Sequence, residues 1–200
     1  SGFALALAAP LLSRRFGDAA GWILALLPGV LTLYLISLSP LAAANEPAVF
    51  SSPWVPELGL AFSLRADGLG LLFALLISGI GTLIFVSAGG YLKGNPNLGR
   101  FYAWLAVFMA AMLGVALSDN ILLLFVFWEL TSISSYMLIG FEHERDSARF
   151  AALQAFLVTG SGGLALLAGL LLLGSAAGTF ELSTLLAQGD VLRASPLYLP

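Results

Sequence analysis

The chain has 200 residues, of which 60% are hydrophobic and only 10% are charged, and its formal net charge is -3. With a mean hydropathy of +0.99, this composition excludes an ordinary soluble globular domain, and the scattered charges exclude a basic surface for nucleic acid. Cysteine is absent, which excludes disulfides, thiol catalysis and cysteine-ligated metal sites within these residues.

Apolar segments along the chain predict an all-helical, multi-pass membrane protein with about six spans. The first segment, 2–12, is short and is followed by Arg14 and Arg15. We interpret it as the inner end of a helix that starts before Ser1, because the charges of a signal peptide would precede the apolar run. The other segments reach or approach the roughly 20 residues that a span needs. They cover 21–41, 69–92, 101–117, 121–141 and 150–174.

The long connection 42–67 carries a second kind of pattern. Within it, apolar residues alternate with smaller or polar ones, which predicts a short extracellular β-strand or hairpin that caps helix ends. The alternating residues are Leu58, Leu60, Phe62 and Leu64. Asp67 then precedes the third span, where we expect a helix N-cap, with proton uptake as the alternative. The chain is thus divided into 1–68, with the first helices and the loop, and 69–200, with the third to sixth spans.

Basic residues predict the orientation. By the positive-inside rule, the side with more lysine and arginine is cytoplasmic, so we expect the amino terminus outside and the span 121–141 to run inward. The richer side has Arg14, Arg15, Lys93, Arg100, Arg145 and Arg149, and the other side has Arg65 and Arg193.

Glu129 lies near the middle of the otherwise uncharged segment 121–141. An acidic residue at mid-membrane costs roughly +2.5 to +3.5 kcal/mol on insertion scales, and such residues often belong to ion or proton pathways. The position therefore predicts a proton carrier, with a structural hydrogen bond between packed helices as the alternative. The only lysine, Lys93, is expected at the membrane edge, so a cationic partner for Glu129 would come from beyond residue 200 or from another subunit.

Hydroxyl groups surround Glu129 in the sequence. Helical spacing places Ser132 and Tyr136 on its face, with Thr131 and Ser135 further round. These hydroxyls can donate to a carboxylate and hold water, although serine and threonine in membrane helices also bond to their own backbone. We interpret them as supporting residues.

Polar residues in the connections are weaker candidates. His143 lies among loop charges and is expected to be solvated, with proton collection at the cytoplasmic mouth as the alternative. Asp119 is expected in a turn or cap, with an outer entrance to the Glu129 pathway as the alternative. The GSGG run at 160–163 favours close helix packing and lacks the lysine of a phosphate-binding loop. No metal site is predicted, because no second histidine or cysteine supports one.

The run RFYAWLAVFMAAMLGVALSDNILLLFVFWELTSISSYMLIGF, with AALQAFLVTGSGGLALLAGLLLL after it, resembles the antiporter-like subunits shared by respiratory complex I and Mrp-type cation/proton antiporters. The WELTSISS and TGSGGLALLAGL forms are most similar to the A-type subunits of the Mrp antiporters. The ending GDVLRASPLYLP is similar to the approach to the seventh helix in those subunits. The resemblance covers most of the chain from about Asp67 onward.

The resemblance implies a protein of about fourteen membrane helices with two inverted repeats, of which these residues form the amino-terminal part. It places Glu129 at the position of a glutamate that pairs with a lysine in the seventh helix, beyond this chain. It also implies a bacterial inner-membrane complex with other Mrp-type subunits that exchanges cytoplasmic Na⁺ for external H⁺ without a cofactor. The alternatives are a proton-pumping subunit of a complex I-like quinone oxidoreductase or membrane hydrogenase, and a non-conducting scaffold subunit.

Overall fold

The computed structural model describes residues 2–44, 46–55 and 60–190, and over these ranges the chain is mainly helical with one small sheet. The first part holds α1 (Gly2–Phe16), α2 (Ala20–Ser37), α3 (Ser39–Ala43), β1 (Ala48–Val55) and β2 (Leu60–Ala66). The second part holds α4 (Gly68–Tyr91), α5 (Leu98–Leu117), α6 (Ile121–Ile139), α7 (Asp146–Ala177) and α8 (Leu182–Ala187). The predicted fold class is confirmed at this level, as a helical chain with a two-stranded sheet.

By length and composition, five helical segments in the described residues could cross a membrane. The first of them, Gly2–Ala43, is divided by a 3-10 turn at Gly17–Ala19. Gly17 has φ 53°, in the left-handed region that favours glycine, and the chain reverses direction there. The predicted segments 2–12 and 21–41 therefore correspond to separate helices, α1 and α2, while the total number of spans stays a prediction.

Close contacts define the directions of the first helices. A Cβ on Gly99 of α5 would lie 2.9 Å from Pro10 Cα, and one on Gly2 would lie 2.7 Å from Ala110 Cβ. Helix α1 is therefore antiparallel to α5. Helix α2 runs antiparallel to α4. Buried apolar residues from α1, α2, α4 and α5 form one cluster, which is the packed core of the described residues.

The core contains one stacked aromatic pair. The rings of Phe85 and Tyr102 stack with their centroids 5.7 Å apart, and the Tyr102 hydroxyl donates to Phe85 O at 3.3 Å. Both residues are fully buried. In contrast, α7 buries only Ala152, Gly163 and Gly174, and leaves many large apolar side chains exposed. An apolar exterior of this kind is what a helix in lipid requires.

Helix α7 is longer than the apolar pattern predicted. It starts at Asp146 rather than 150 and ends at Ala177 rather than 174. Its first turn carries charges and therefore lies outside the predicted apolar segment. The negative charge of Asp146 interacts favourably with the positive end of the helix dipole, which stabilises this turn. Gly178, with φ 69°, ends the helix in a left-handed conformation.

The predicted strand is confirmed as half of a two-stranded antiparallel sheet. Strand β2 pairs with β1 in a register that places Ser51 opposite Ser63, with an irregularity between Pro53 and Val55. The amide of Asp119 donates to Ser63 O at 2.9 Å, so the sheet does contact a helix end, as expected. Leu58 lies outside the described residues, and the extracellular location stays a prediction.

The structure brings the six basic residues to one end of the bundle, where they lie in three interhelical connections or in the helix turns beside them. The amide of Gly94 donates to Asp18 Oδ1 at 3.5 Å, which joins the α1–α2 and α4–α5 connections. Arg100 Nη2 donates to Phe141 O at 2.9 Å, which joins α5 to the α6–α7 connection. Asp67, Asp119 and the sheet lie at the opposite end. Which end faces the cytoplasm stays a prediction; Arg193 lies outside the described residues.

Candidate functional site around Glu129

Helix α6 holds Glu129 about midway along its 19 residues. Asn120 begins the helix, because its Oδ1 accepts hydrogen bonds from Leu122 N at 3.0 Å and Leu123 N at 3.1 Å. No proline or glycine interrupts the helix before Gly140. The cap and the unbroken helix place Glu129 about 15 Å along the axis from Ile139 at the basic end.

One face of α6 packs against α5. The Phe127 ring occupies the space that a side chain on Gly114 would fill, and a Cβ there would overlap the ring. Ser134, seven residues further along α6, is fully buried and donates to Leu130 O at 2.6 Å. Glu129 does not lie on this face.

A second face of α6, which includes Glu129, packs against α7. The two helices are antiparallel, so residues near the end of α6 contact residues near the start of α7. A Cβ on Gly140 would lie 3.3 Å from Ala152 Cβ, and the Tyr136 and Phe156 rings have centroids 5.4 Å apart. The contacts pair Gly140 with Ala152, Tyr136 with Phe156, and Glu129 with Gly163.

The Glu129 carboxylate lies against the backbone of α7 at Gly163. A Cβ on Gly163 would overlap Oε1 and would lie 3.1 Å from Cδ. Oε1 is buried and has no hydrogen-bond partner among the described residues. A buried carboxyl oxygen is costly unless it is protonated or paired. The cost of burying Oε1 is therefore not offset by any hydrogen bond among the described residues.

The hydroxyls near Glu129 have other contacts. Thr131 Oγ1 and Ser132 Oγ both donate to Trp128 O, at 2.6 and 3.3 Å. Tyr136 packs on Phe156 of α7, seven residues closer to the basic end than Glu129. Ser135 is half-buried. Over the described ranges none of the four hydroxyls is bonded to Glu129, and their supporting roles stay predictions.

His143 lies at the basic end, exposed in the α6–α7 connection as expected. Its Nδ1 is 3.4 Å from Arg100 Nη2, and its backbone oxygen accepts from Arg149 Nη1 at 3.2 Å. A cavity of about 200 Å³ opens here between α5, α6 and α7. Tyr136 lines this cavity together with the three residues just named, so the cavity reaches the face of α6 that carries Glu129.

At the opposite end, Asp119 is buried and fully paired. Its Oδ1 accepts from Ser183 N at 2.9 Å and its Oδ2 from Ser183 Oγ at 2.8 Å, so it caps the start of α8. Glu181 accepts from Asn120 Nδ2 at 3.0 Å and from Ser63 Oγ at 2.7 Å. This sheet-end polar cluster, formed by Ser63, Asp119, Asn120, Glu181 and Ser183, joins the sheet to the start of α6 and to the segment that follows α7.

Asp67 is the predicted N-cap of α4, and the structure confirms that role. Its Oδ1 accepts from Gly70 N at 2.8 Å. Asp67 and Asp119 both line an open cavity of about 610 Å³ between α4, α5 and α8. Their predicted part in proton uptake stays a prediction.

Two contacts of the site escaped the sequence interpretation. Gly163 was interpreted only as a packing residue, and Glu181 was not singled out. The positions 129 and 136 on α6 and 156 and 163 on α7 share a spacing of seven residues, which is a signal for Gly163 once the two helices are known to pair. Nothing in the sequence marks Glu181, because its partners Asn120 and Ser63 are both more than 60 residues away.

Comparison with known proteins shows the family of this chain. Residues 118–198 match the family described as "NADH:quinone oxidoreductase/Mrp antiporter, TM", and residues 54–102 match "NADH-Ubiquinone oxidoreductase (complex I), chain 5 N-terminus". The A1 subunit of a Na⁺/H⁺ antiporter from Staphylococcus haemolyticus is 40% identical over 195 residues. The chain belongs to the Mrp antiporter and complex I family of membrane subunits.

Other relatives within this Mrp antiporter and complex I family are similarly close. The A/B subunit of a probable K⁺/H⁺ antiporter from Rhizobium meliloti is 42% identical over 180 residues. Those residues are 90% of this chain and 18% of the relative, whereas the Staphylococcus match covers 97% and 24%. The chain thus spans about a fifth of the length of the curated relatives that it matches.

Two solved structures have the same fold as this chain. A chain of the Mrp complex from Dietzia sp. aligns with a TM-score of 0.86 and 35% identity, over 98% of this chain and 21% of that chain. The archaeal membrane-bound sulfane sulfur reductase aligns with a TM-score of 0.75 and 20% identity, over 95% and 39%. The second likeness concerns the fold alone.

Proposed function

We propose that this chain is part of the A-type subunit of a bacterial Mrp-type complex, which exchanges cytoplasmic Na⁺ for external H⁺ in the inner membrane. The relatives named as Na⁺/H⁺ and K⁺/H⁺ antiporter subunits support this activity. The Mrp complex among the structural neighbours supports an assembly with other membrane subunits. In this proposal Na⁺ and H⁺ are substrates, and the proton-motive force supplies the energy.

One observation carries the proposal. The Glu129 carboxylate lies midway along a membrane-length helix, and its Oε1 is buried without a hydrogen-bond partner among the described residues. A purely structural carboxylate in a helix interface would be expected to hold a fixed hydrogen bond. A proton carrier instead needs a carboxyl group whose charge can change during the cycle.

The two cavities suggest where protons reach Glu129. The larger one, which Asp67 and Asp119 line, would open outward, and the smaller one beside His143 would open to the cytoplasm. External protons would enter at the first, pass Glu129, and leave past Tyr136 and His143. Tyr136 lines the inner cavity and lies on the Glu129 face, which makes it the connecting residue.

The charged form of Glu129 requires stabilisation by a cation nearby. Three ion pairs are found among the described residues. One joins Arg65 to Asp67, one lies in the α6–α7 connection and one lies in the first turn of α7, so none involves Glu129. We infer that the partner is a lysine after residue 200, as the family resemblance implies.

The test compares variants of the full-length chain in the intact complex. Glu129→Gln removes the titratable proton but keeps the size of the side chain, so Na⁺-dependent proton movement in everted vesicles should fall to that of vesicles without the complex. Glu46→Gln is the matched control, because Glu46 is an exposed acid near the sheet, and it should leave transport unchanged. Assembly is checked by copurification of the other subunits.

Normal transport by an assembled Glu129→Gln complex would exclude the carrier role and favour a scaffold subunit. Running the same assay with K⁺ in place of Na⁺ decides the cation, since the relatives carry both names.

A second candidate is a redox-driven proton-pumping subunit of a complex I-like enzyme. The family descriptions, which name quinone oxidoreductases, and the fold shared with an archaeal respiratory complex favour it. The subunits that copurify separate the two. Iron–sulfur and flavin proteins would support the redox enzyme, and small membrane proteins would support the antiporter.

A further inference from the structure

Gly163 gives the Glu129 carboxylate its place between α6 and α7. The glycine is buried, and its missing side chain leaves the space that the carboxylate occupies. A Cβ added there would overlap Oε1 and would lie 3.1 Å from Cδ and 3.7 Å from Oε2. The three nearest atoms all belong to the same carboxyl group, so this group is what a methyl at position 163 meets first.

The neighbouring glycines of α7 do not share this property. A Cβ on Gly160, Gly162 or Gly169 would meet nothing within 4 Å among the described residues. The sequence predicted close helix approach for the whole glycine-rich run. Within the described ranges, Gly163 is the glycine of that run that lies close to another helix. The space at 163 faces an unpaired carboxyl oxygen rather than the side chain of an apolar neighbour.

We propose that Gly163 is a positioning residue for proton transfer, because it lets the Glu129 carboxylate cross the α6–α7 interface and determines where the proton is held. This inference rests on the proposed function, in which Glu129 carries the proton. Gly163 itself bonds no proton and touches no substrate. It acts by leaving the carboxyl group against the α7 backbone, where a side chain would turn it back towards α6.

A methyl at 163 should move the carboxylate and leave the helices in place. The atoms it meets are the far end of a flexible side chain, which can rotate away, whereas the paired contacts at Tyr136–Phe156 and Gly140–Ala152 hold the helices together. Alanine is also a better helix former than glycine, so α7 itself is not weakened. The expected defect is therefore in the carboxylate position and in transport.

The test uses Gly163→Ala in the full-length chain and intact complex, with Gly160→Ala as the matched control on the same helix. Transport in everted vesicles is measured over a range of pH. Because a displacement of about 1 Å from a productive geometry can reduce a rate about 100-fold, we expect Gly163→Ala to lose at least about tenfold and to shift its pH profile. Gly160→Ala should match the unmodified complex in both.

A rescue distinguishes misplacement of the carboxylate from general damage. Glu129→Asp shortens the acid by one methylene, so combined with Gly163→Ala it should recover part of the transport lost by the alanine alone. A merely structural role for Gly163 predicts no recovery and no shift of the pH profile. Those two results together would overturn the proposal.

Chemical labelling separates this inference from the proposed function. Dicyclohexylcarbodiimide reacts with protonated carboxyl groups in apolar surroundings, and mass spectrometry of the peptide that contains Glu129 reports the labelling rate against pH. Gly163→Ala should change that rate, and Gly160→Ala should not. If Glu129→Gln transports normally, the proposed function fails while the labelling still tests Gly163. If transport needs Glu129 but Gly163→Ala alters neither transport nor labelling, only this inference fails.

Discussion

Two residues that are not adjacent to Glu129 in the sequence determine its surroundings. Asn120 fixes the start of α6 and hence the depth of the carboxylate, and Gly163 provides the space into which it extends. Ser132 and Thr131 lie closer in sequence, but their hydroxyls are occupied by Trp128 O. At the scale of single residues, the absence of a side chain thus affects Glu129 more directly than the neighbouring hydroxyls do.

Asn120→Ala should destabilise the protein. The substitution removes the acceptor for two backbone N–H groups at the start of α6 and the donor to Glu181, and Asn120 is 1% exposed. Loss of a side-chain cap costs about 0.5 to 2 kcal/mol, and a buried group left unpaired adds to this. We expect the purified complex to lose about 1 to 3 kcal/mol of stability in denaturant unfolding.

Asn97→Ala is the matched control for this prediction. Asn97 precedes α5 at the corresponding position, is exposed, and makes no side-chain cap hydrogen bond. Its substitution should change stability by less than about 0.5 kcal/mol. Equal losses for the two asparagine variants would contradict the capping role of Asn120.

At the scale of elements, α6 is the helix that joins the packed core to α7. Phe127 and Ser134 face α5, whereas Glu129 and Tyr136 face α7. Both neighbours use a glycine to accept a large α6 side chain, Gly114 for the Phe127 ring and Gly163 for the carboxylate. The two contacts fix the rotation of α6 about its own axis, and thereby the direction of Glu129.

Gly114→Ala should destabilise this arrangement. The added Cβ would overlap the Phe127 ring, which is buried and also packs on Phe62 with centroids 6.4 Å apart, so the ring cannot move freely. Overpacking of this kind costs about 1 to 3 kcal/mol. The measurement is the denaturant midpoint of the purified complex at constant unfolding slope.

Gly90→Ala serves as the control for overpacking. It lies in α4, and its added Cβ would meet nothing within 4 Å. Alanine there should be neutral or stabilise the helix by up to about 1 kcal/mol. If both variants lose stability alike, helix propensity or a general effect of the substitution explains the loss better than contact with Phe127.

At the scale of the whole molecule, the charges divide the bundle into two ends. The six basic residues lie at one end, in three connections and the helix turns beside them, and the sheet-end polar cluster and the sheet lie at the other. At each end, hydrogen bonds join segments that are far apart in the sequence. Both ends are therefore formed by tertiary packing. The positive-inside rule then predicts that the basic end is cytoplasmic.

Single cysteines test this orientation. The 200 residues contain none, so each introduced thiol would be unique among them once any others in the full chain are replaced. Ser52→Cys lies exposed in β1 and should react with a membrane-impermeant maleimide in intact cells. Glu144→Cys, exposed in the α6–α7 connection, should react only in everted vesicles. The reverse labelling pattern would show that the predicted orientation is inverted.

The sequence by itself determined the membrane class, the approximate helix positions, the place of Glu129 midway along its helix and the grouping of basic residues. It also predicted the Asp67 cap and a strand in the connection before α4, both of which the structure confirms. These are local properties, because hydropathy, charge and capping depend on residues within a few positions of each other in the chain.

Only the tertiary structure decided that Gly163 receives the Glu129 carboxylate, that Asp119 caps α8, and that Glu181 joins the sheet to α6. Apolar residues surround α6 on all sides, so its hydrophobic pattern does not reveal which face meets which neighbour. The packing of large side chains against glycines at the α5–α6 and α6–α7 interfaces decides which face meets which neighbour. Such complementarity exists only once the helices are packed.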